Sequence, residues 1–147
     1  MYKDLVLDTL RKQGRAQAKT LQNNAENMTG TELYKQADYI PDFKAAIAKM
    51  NMAERPIGFV CCSSAGRVVR LLQNYDSTIY TDEPELLPAQ WGFKWSTDPA
   101  KALPFVAIST SPYNTGDCCT EGDVVYRSII DSTVWPPSVY PQGWEEV

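Results

Sequence analysis

From residue 58 onward the chain is one pattern written twice. Gly58-Phe-Val-Cys-Cys-Ser-Ser-Ala-Gly-Arg-Val-Val-Arg runs on to Asp76-Ser-Thr-Ile-Tyr80, then Pro84, Pro88 and Trp91. Gly116-Asp-Cys-Cys-Thr-Glu-Gly-Asp-Val-Val-Tyr runs on to Asp131-Ser-Thr-Val-Trp135, then Pro136, Pro141 and Trp144. Gly58 falls on Gly116, Cys61 on Cys119, Gly66 on Gly122 and Val68-Val69 on Val124-Val125. Asp76-Ser77-Thr78 falls on Asp131-Ser132-Thr133, Tyr80 on Trp135 and Trp91 on Trp144, with short gaps near Ser64 and near Tyr75. Such a repeat means one supersecondary unit built twice, so it constrains the architecture before any local pattern does. Units of roughly 35–45 residues bury too little surface to be stable alone, and must pack on each other, on the N-terminal segment or on a partner.

Each unit reads as a hairpin followed by a Pro-punctuated return. Phe59 to Cys62 is a strand, Ser63 to Gly66 a turn and Arg67 to Gln73 the returning strand. The second copy gives a strand at Asp117 to Thr120, a turn at Glu121-Gly122 and a strand from Asp123 to Ile130. Gly66 and Gly122 stand where a tight hairpin requires positive φ. Trp91 and Trp144 close their units and are expected in the core, because a small β unit uses one large side chain as its interior.

The first 57 residues are different in kind. Residues 2–26 carry Leu, Lys, Gln, Ala and Arg with no Pro and no β-branched run, and read as a helix. Its apolar stripe is thin: Leu7, Leu10, Leu21 and Met28, with Gly14 interrupting the column. So polar a helix is expected to pack on something else. Thr29 or Thr31 can cap a short helix over Glu32–Gln36, Pro41 breaks it, and Asp42–Met50 has room for one or two further helical turns. The chain therefore reads as α+β, mainly β in its C-terminal two-thirds. A helical anchor or oligomerisation segment (1–57) precedes a first β module (58–95), a connector (96–110) and a second β module (111–147).

Charge and composition exclude several function classes. Residues 1–37 balance at +2 and residues 111–147 at -5, within a net charge of -4. The acidic, aromatic C-terminal module is the wrong sign for a nucleic-acid face, and the N-terminal positive charge is dilute. No stretch approaches the apolar length that spans a bilayer. The N-terminus mixes Asp4, Asp8, Arg11 and Lys12 with its apolar residues, unlike a signal peptide. There is no histidine, which removes Ser–His and Cys–His nucleophile pairs. The acidic residues Asp117, Glu121, Asp123 and Asp131 lie in turns of a tiny module with no evident cleft, so no enzymatic activity is expected. The cysteines come as adjacent pairs, Cys61-Cys62 and Cys118-Cys119, without Cys-x-x-Cys spacing. Neighbouring strand residues point to opposite faces, so these read as buried structural thiols, with no metal or other cofactor expected.

At Tyr113-Asn-Thr-Gly-Asp-Cys-Cys-Thr-Glu-Gly-Asp-Val-Val-Tyr126 the second unit resembles the chitin-binding carbohydrate-binding modules of families five and twelve. Tyr113, Gly116, Asp117, Gly122, Val125, Tyr126, Trp135, Pro141 and Trp144 fill that frame. The ending Tyr140-Pro-Gln-Gly-Trp144-Glu-Glu-Val is similar to the C-termini of small prophage-encoded tail or virion proteins of Gram-positive hosts. The first unit enters the resemblance only through the repeat, with Tyr80 in place of Trp135 and Arg70 near the position of Tyr126; residues 1–57 lie outside it. The resemblance implies a non-catalytic virion protein (tail, baseplate or decoration), made in the host cytoplasm, that displays two modules for host surface glycan. It also implies contacts to other phage structural proteins through residues 1–57, and self-association.

A pyranose ring stacks its apolar C–H face on an exposed aromatic plane, while its hydroxyls need nearby carboxylates and amides. Trp135-Pro-Pro-Ser-Val-Tyr140 offers aromatics on a backbone held by prolines. The carbohydrate-binding candidates are accordingly Trp135, Tyr140, Tyr126, Asp131 and, in the first unit, Tyr80. The alternative is a purely structural connector whose exposed aromatics anchor protein–protein contacts.

Overall fold

A computed structural model describes residues 2–147. The fold is α+β, with an N-terminal helical segment followed by two separate sheets. Helix α1 (Tyr2–Asn24) follows from its helix-forming composition. Its C-terminal half is anchored, with Leu21 and the following Ala25 buried, while Leu5, Leu7 and Leu10 stand exposed. Helix α2 (Gly30–Lys35) starts at Thr29 through a reciprocal capping box. Thr29 Oγ1 accepts the Glu32 N–H at 3.1 Å, and Glu32 Oε1 accepts the Thr29 N–H at 3.3 Å. Gly30 is required there, since a Cβ would lie 2.0 Å from the Trp95 carbonyl oxygen. Helix α3 (Phe43–Lys49) begins after the break at Pro41.

The first sheet runs β1 (Val60–Cys62), β2 (Val68–Leu71) and β3 (Trp91–Phe93), antiparallel throughout. The second has β5 (Cys118–Glu121), β6 (Val124–Ser128) and β7 (Trp144–Glu146) in the same antiparallel order. A short β4 (Leu103–Pro104) adds parallel to β5, so part of the stretch read as connector supplies an edge of the second sheet. Gly66 and Gly122 both have positive φ, as the hairpins require.

Strand pairing corrects the register of the repeat. Cys61 pairs Val69 and Cys119 pairs Tyr126, while Leu71 pairs Trp91 and Ser128 pairs Trp144. The true counterparts are therefore Val68 with Val125, Val69 with Tyr126, and Arg70 with Arg127 rather than with Tyr126. The one-residue slip arises because the first hairpin has a longer loop: Ser63 closes onto Arg67, whereas Glu121 already pairs Val124. Aligning the two turn glycines by identity hides that difference.

The repeat also reaches further back than its glycines. Asp42 bridges Cys62 in parallel as Pro104 does Thr120, and each is followed by a phenylalanine. Phe43 meets Trp91 edge-on at 5.9 Å and 83°, and Phe105 meets Trp144 at 6.0 Å and 86°. Asn51 Oδ1 accepts the Ser77 N–H at 3.1 Å, and Asn114 Oδ1 accepts the Ser132 N–H at 3.0 Å.

One core runs through both units: Cys61, Val69, Leu71, Trp91 and Phe93 join Tyr113, Cys119 and Trp144. At the junction Phe93, Trp95, Tyr113 and Phe105 form a stacked ladder, tightest at 4.2 Å between Trp95 and Tyr113. The other face of the first sheet (Val60, Cys62, Val68) packs on Leu21, Ala25, Leu33, Tyr34 and Ile40 from the helical segment. The Tyr34 hydroxyl donates to the Lys94 carbonyl at 2.9 Å and accepts the Val68 N–H at 3.1 Å; its burial pushes its pKa up to about 12.

Candidate functional site

The loop from Thr133 to Tyr140 carries the exposed aromatics of the second unit. Trp135 is 57% exposed, Tyr140 38%, and Val139 between them 64%. Several bonds fix the backbone beneath them. The Trp135 carbonyl accepts the indole N–H of the buried Trp144 at 2.9 Å, and Thr133 Oγ1 accepts the Trp135 N–H at 3.4 Å. Pro136 starts a tight turn whose carbonyl accepts the N–H groups of Val139 and Tyr140 at 3.0 and 2.9 Å. Glu121, at the hairpin end, accepts both the N–H and the hydroxyl of Ser138 at 2.9 Å. An aromatic on so constrained a backbone loses little conformational freedom when a ligand stacks on it.

The other candidates are distributed differently. Asp131 is exposed and its Oδ1 accepts the Thr115 N–H at 3.0 Å; that bond, with the Thr115 side chain, holds its carboxyl below the usual range. Tyr126 lies on β6 opposite Cys119 and Glu146, half-buried against the aromatic core, so it supports the fold more than it faces solvent. Tyr80 is 57% exposed but belongs to the first unit, with its N–H on the Asp76 carbonyl at 3.0 Å. The structure thus gathers Trp135 and Tyr140 on one turn and sets Tyr80 apart. Trp95 is 9% exposed inside the stacked ladder and donates its indole N–H to the Ser111 carbonyl at 3.0 Å.

Two contributors escape the sequence pattern. Val139 widens the exposed apolar patch, and Glu121 pins the turn from across the unit. The first unit carries a parallel device, where Arg67 from the hairpin pairs Glu85 of the corresponding Pro turn at 3.3 Å. Hairpin-to-turn contact is therefore a property of the repeat, and only the second copy uses it to hold an exposed tryptophan.

All four cysteines are buried free thiols. Burial pushes Cys62 up to about 11 and Cys119 up to about 12, and raises Cys61 and Cys118 as well, the reverse of an activated nucleophile. Among the described residues no group of three or more His, Cys, Asp or Glu could hold a metal ion. No helix among the described residues is long and apolar enough to cross a membrane. Comparisons with protein-family models, curated proteins and solved structures find no match to this chain.

Proposed function

We propose that this is a non-catalytic structural protein of a phage particle, a tail, baseplate or decoration component in the virion. In this reading the second unit binds host surface glycan through Trp135, with Tyr140 beside it and Asp131 as a hydrogen-bond acceptor. Tyr126 supports the platform from the core, and Tyr80 offers a weaker second contact on the first unit. The observation that carries the reading is an exposed tryptophan on a turn held rigid by Thr133, Trp144 and Glu121. Attachment to other phage structural proteins, and self-association, fall to the free N-terminal part of α1, where Leu5, Leu7 and Leu10 are uncovered. Further along, Leu21, Ala25, Leu33, Tyr34 and Ile40 pack against the first sheet.

The test is retention of the purified chain on insoluble chitin. Trp135→Ala is expected to abolish retention while changing stability by less than about 0.5 kcal/mol, because the carbonyl, not the ring, holds Trp144. A wild-type chain that does not bind, or a variant that binds as well, would leave the second reading, in which the same exposed turn is a protein–protein anchor. The exposed apolar face of α1 already favours protein contacts at the opposite end of the chain.

A further inference from the structure

The basic residues that are dilute along the sequence converge in space. Arg11, Arg15 and Lys19 on α1, with Lys49 and Arg55, line a trough of about 900 Å³ against a single acid, Asp38. The trough shares Gln22, Arg55 and Phe59 with a cavity of about 440 Å³, which Arg70 completes from β2. Glu26 also lines that cavity; it is exposed, and among the described residues it pairs with neither arginine.

The arginines of the cavity are underused. Arg55 places its guanidinium 4.3 Å over the Phe59 ring and gives one N–H to the Ala46 carbonyl at 3.0 Å, yet its buried Nε has no acceptor. The Nε of Arg70 is likewise buried without an acceptor. Those Nε atoms are themselves closed off, so an oxyanion in the cavity would meet the outer guanidinium nitrogens, whose charge no carboxylate offsets among the described residues.

The repeat shows what Arg70 lacks. Its counterpart Arg127 pairs Glu145 on the neighbouring strand at 3.6 Å. The residue across from Arg70 is Gly92, so the first unit keeps the cation and has no carboxylate opposite it. One carboxylate serves one arginine in the second unit. Two arginines facing one cavity, beside further cations, suit a more highly charged tetrahedral group.

We propose that Arg70 and Arg55 form a binding site for a phosphate group, carried on an anionic ligand that continues along the Arg11–Lys19 trough. The site lies on the first unit and stands whether or not the Trp135 turn binds glycan.

Calorimetry with inorganic phosphate, at constant ionic strength set with chloride, tests it directly. Wild type and Arg127→Met are expected to bind alike, and Arg70→Met at least tenfold more weakly. Gly92→Glu gives a second variant should Arg70→Met fold poorly. It supplies the missing carboxylate, and its Cβ would stand 3.1 Å from Cδ2 of Leu72, the movable end of an exposed side chain. It too should weaken phosphate tenfold. Wild type that takes up no phosphate, or binding unchanged in both variants, overturns the site. A glycerol-phosphate oligomer and a single-stranded oligonucleotide of equal charge then distinguish the source of the phosphate. Either binding at least tenfold more tightly than inorganic phosphate, with the excess lost in Arg15→Ala/Lys19→Ala, supports the trough. Neither doing so, or polyglutamate binding equally well, overturns its part.

Discussion

The two units share a frame and differ in what covers them. Each has a hairpin, a Pro turn, a closing tryptophan and an edge-on Phe–Trp contact at nearly the same distance and angle. The first sheet is covered on both faces, by the helical segment and by the second unit, and Val60, Cys61, Val68, Val69 and Leu71 are fully buried. The second sheet is less completely covered: Cys118 and Cys119 of β5 are buried, but most of β6 is only half-buried. The same fold is thus fully enclosed in one copy and partly open in the other. The turn aromatics escape that difference: Trp135 and its counterpart Tyr80 are both 57% exposed.

The closing tryptophans measure that asymmetry with the largest expected effect. Trp91 is fully enclosed, touching Phe43 and Tyr75 and donating to the Tyr75 hydroxyl at 3.0 Å, whereas Trp144 is 6% exposed. Trp91→Ala is expected to cost about 5 kcal/mol and Trp144→Ala about 3 kcal/mol, read from urea unfolding. Equal losses would mean that the second unit is as enclosed in solution as the first, and the contrast would fail.

A smaller effect separates the ways the two outer hairpin strands are tied. In the first unit the side chain of Gln22 acts as a strand: its amide donates to the Val60 carbonyl at 2.7 Å and accepts the Val60 N–H at 2.9 Å. At the equivalent place in the second, the Cys118 N–H donates to the Ser96 carbonyl at 2.9 Å. Gln22→Leu leaves a buried backbone pair unsatisfied and is expected to cost about 2 kcal/mol. Hydrogen exchange should quicken at the Val60 amide and stay unchanged at Cys118. Equal quickening at both would show that α1 braces the whole core rather than one strand edge.

Much of this was legible in the sequence, for definite reasons. Helix composition marks α1, and Gly66 and Gly122 mark the hairpins, because each signal acts locally. A capping threonine marks α2, although Thr29 and Thr31 fit that role equally in the sequence and the helix starts at Gly30 rather than Glu32. The closing tryptophans announce a core by size. The register does not show, because strand pairing, not residue identity, aligns Arg70 with Arg127, and the loop lengths differ. The backward reach of the repeat is hidden as well, since Phe43 opens α3 whereas Phe105 opens no helix. At the candidate site, the exposed turn at Trp135 and Tyr140 is visible as aromatics among prolines. The half-burial of Tyr126 depends on packing across the sheet, and Trp95 is buried by a ladder drawn from both units. The basic trough joins residues from α1, α3 and the stretch before β1, which no window along the chain brings together.

The smallest effect lies in the turn aspartates, which occupy the same place in both copies. Asp76 is held below its ordinary pKa first by the Thr78 hydroxyl, then by the Thr78 N–H and Asn51; Asp131 is held down chiefly by the Thr115 N–H. A carboxyl depressed by folding stabilises the fold while ionised. That contribution is complete above the unfolded value near 4 and fades as pH falls through the folded value. Asp76→Asn should therefore lower the urea midpoint at pH 7 and differ little from wild type near pH 2.5. Asp131→Asn should do the same to a lesser degree, having fewer donors to lose. Asp117 acts in the opposite sense: desolvation raises its pKa, so its charge opposes folding at neutral pH, and Asp117→Asn should not reproduce the pattern. If the Asp76→Asn deficit persisted at pH 2.5, the turn would rest on the shape of the side chain rather than on its charge, and the two aspartates would no longer rank by the donors around them.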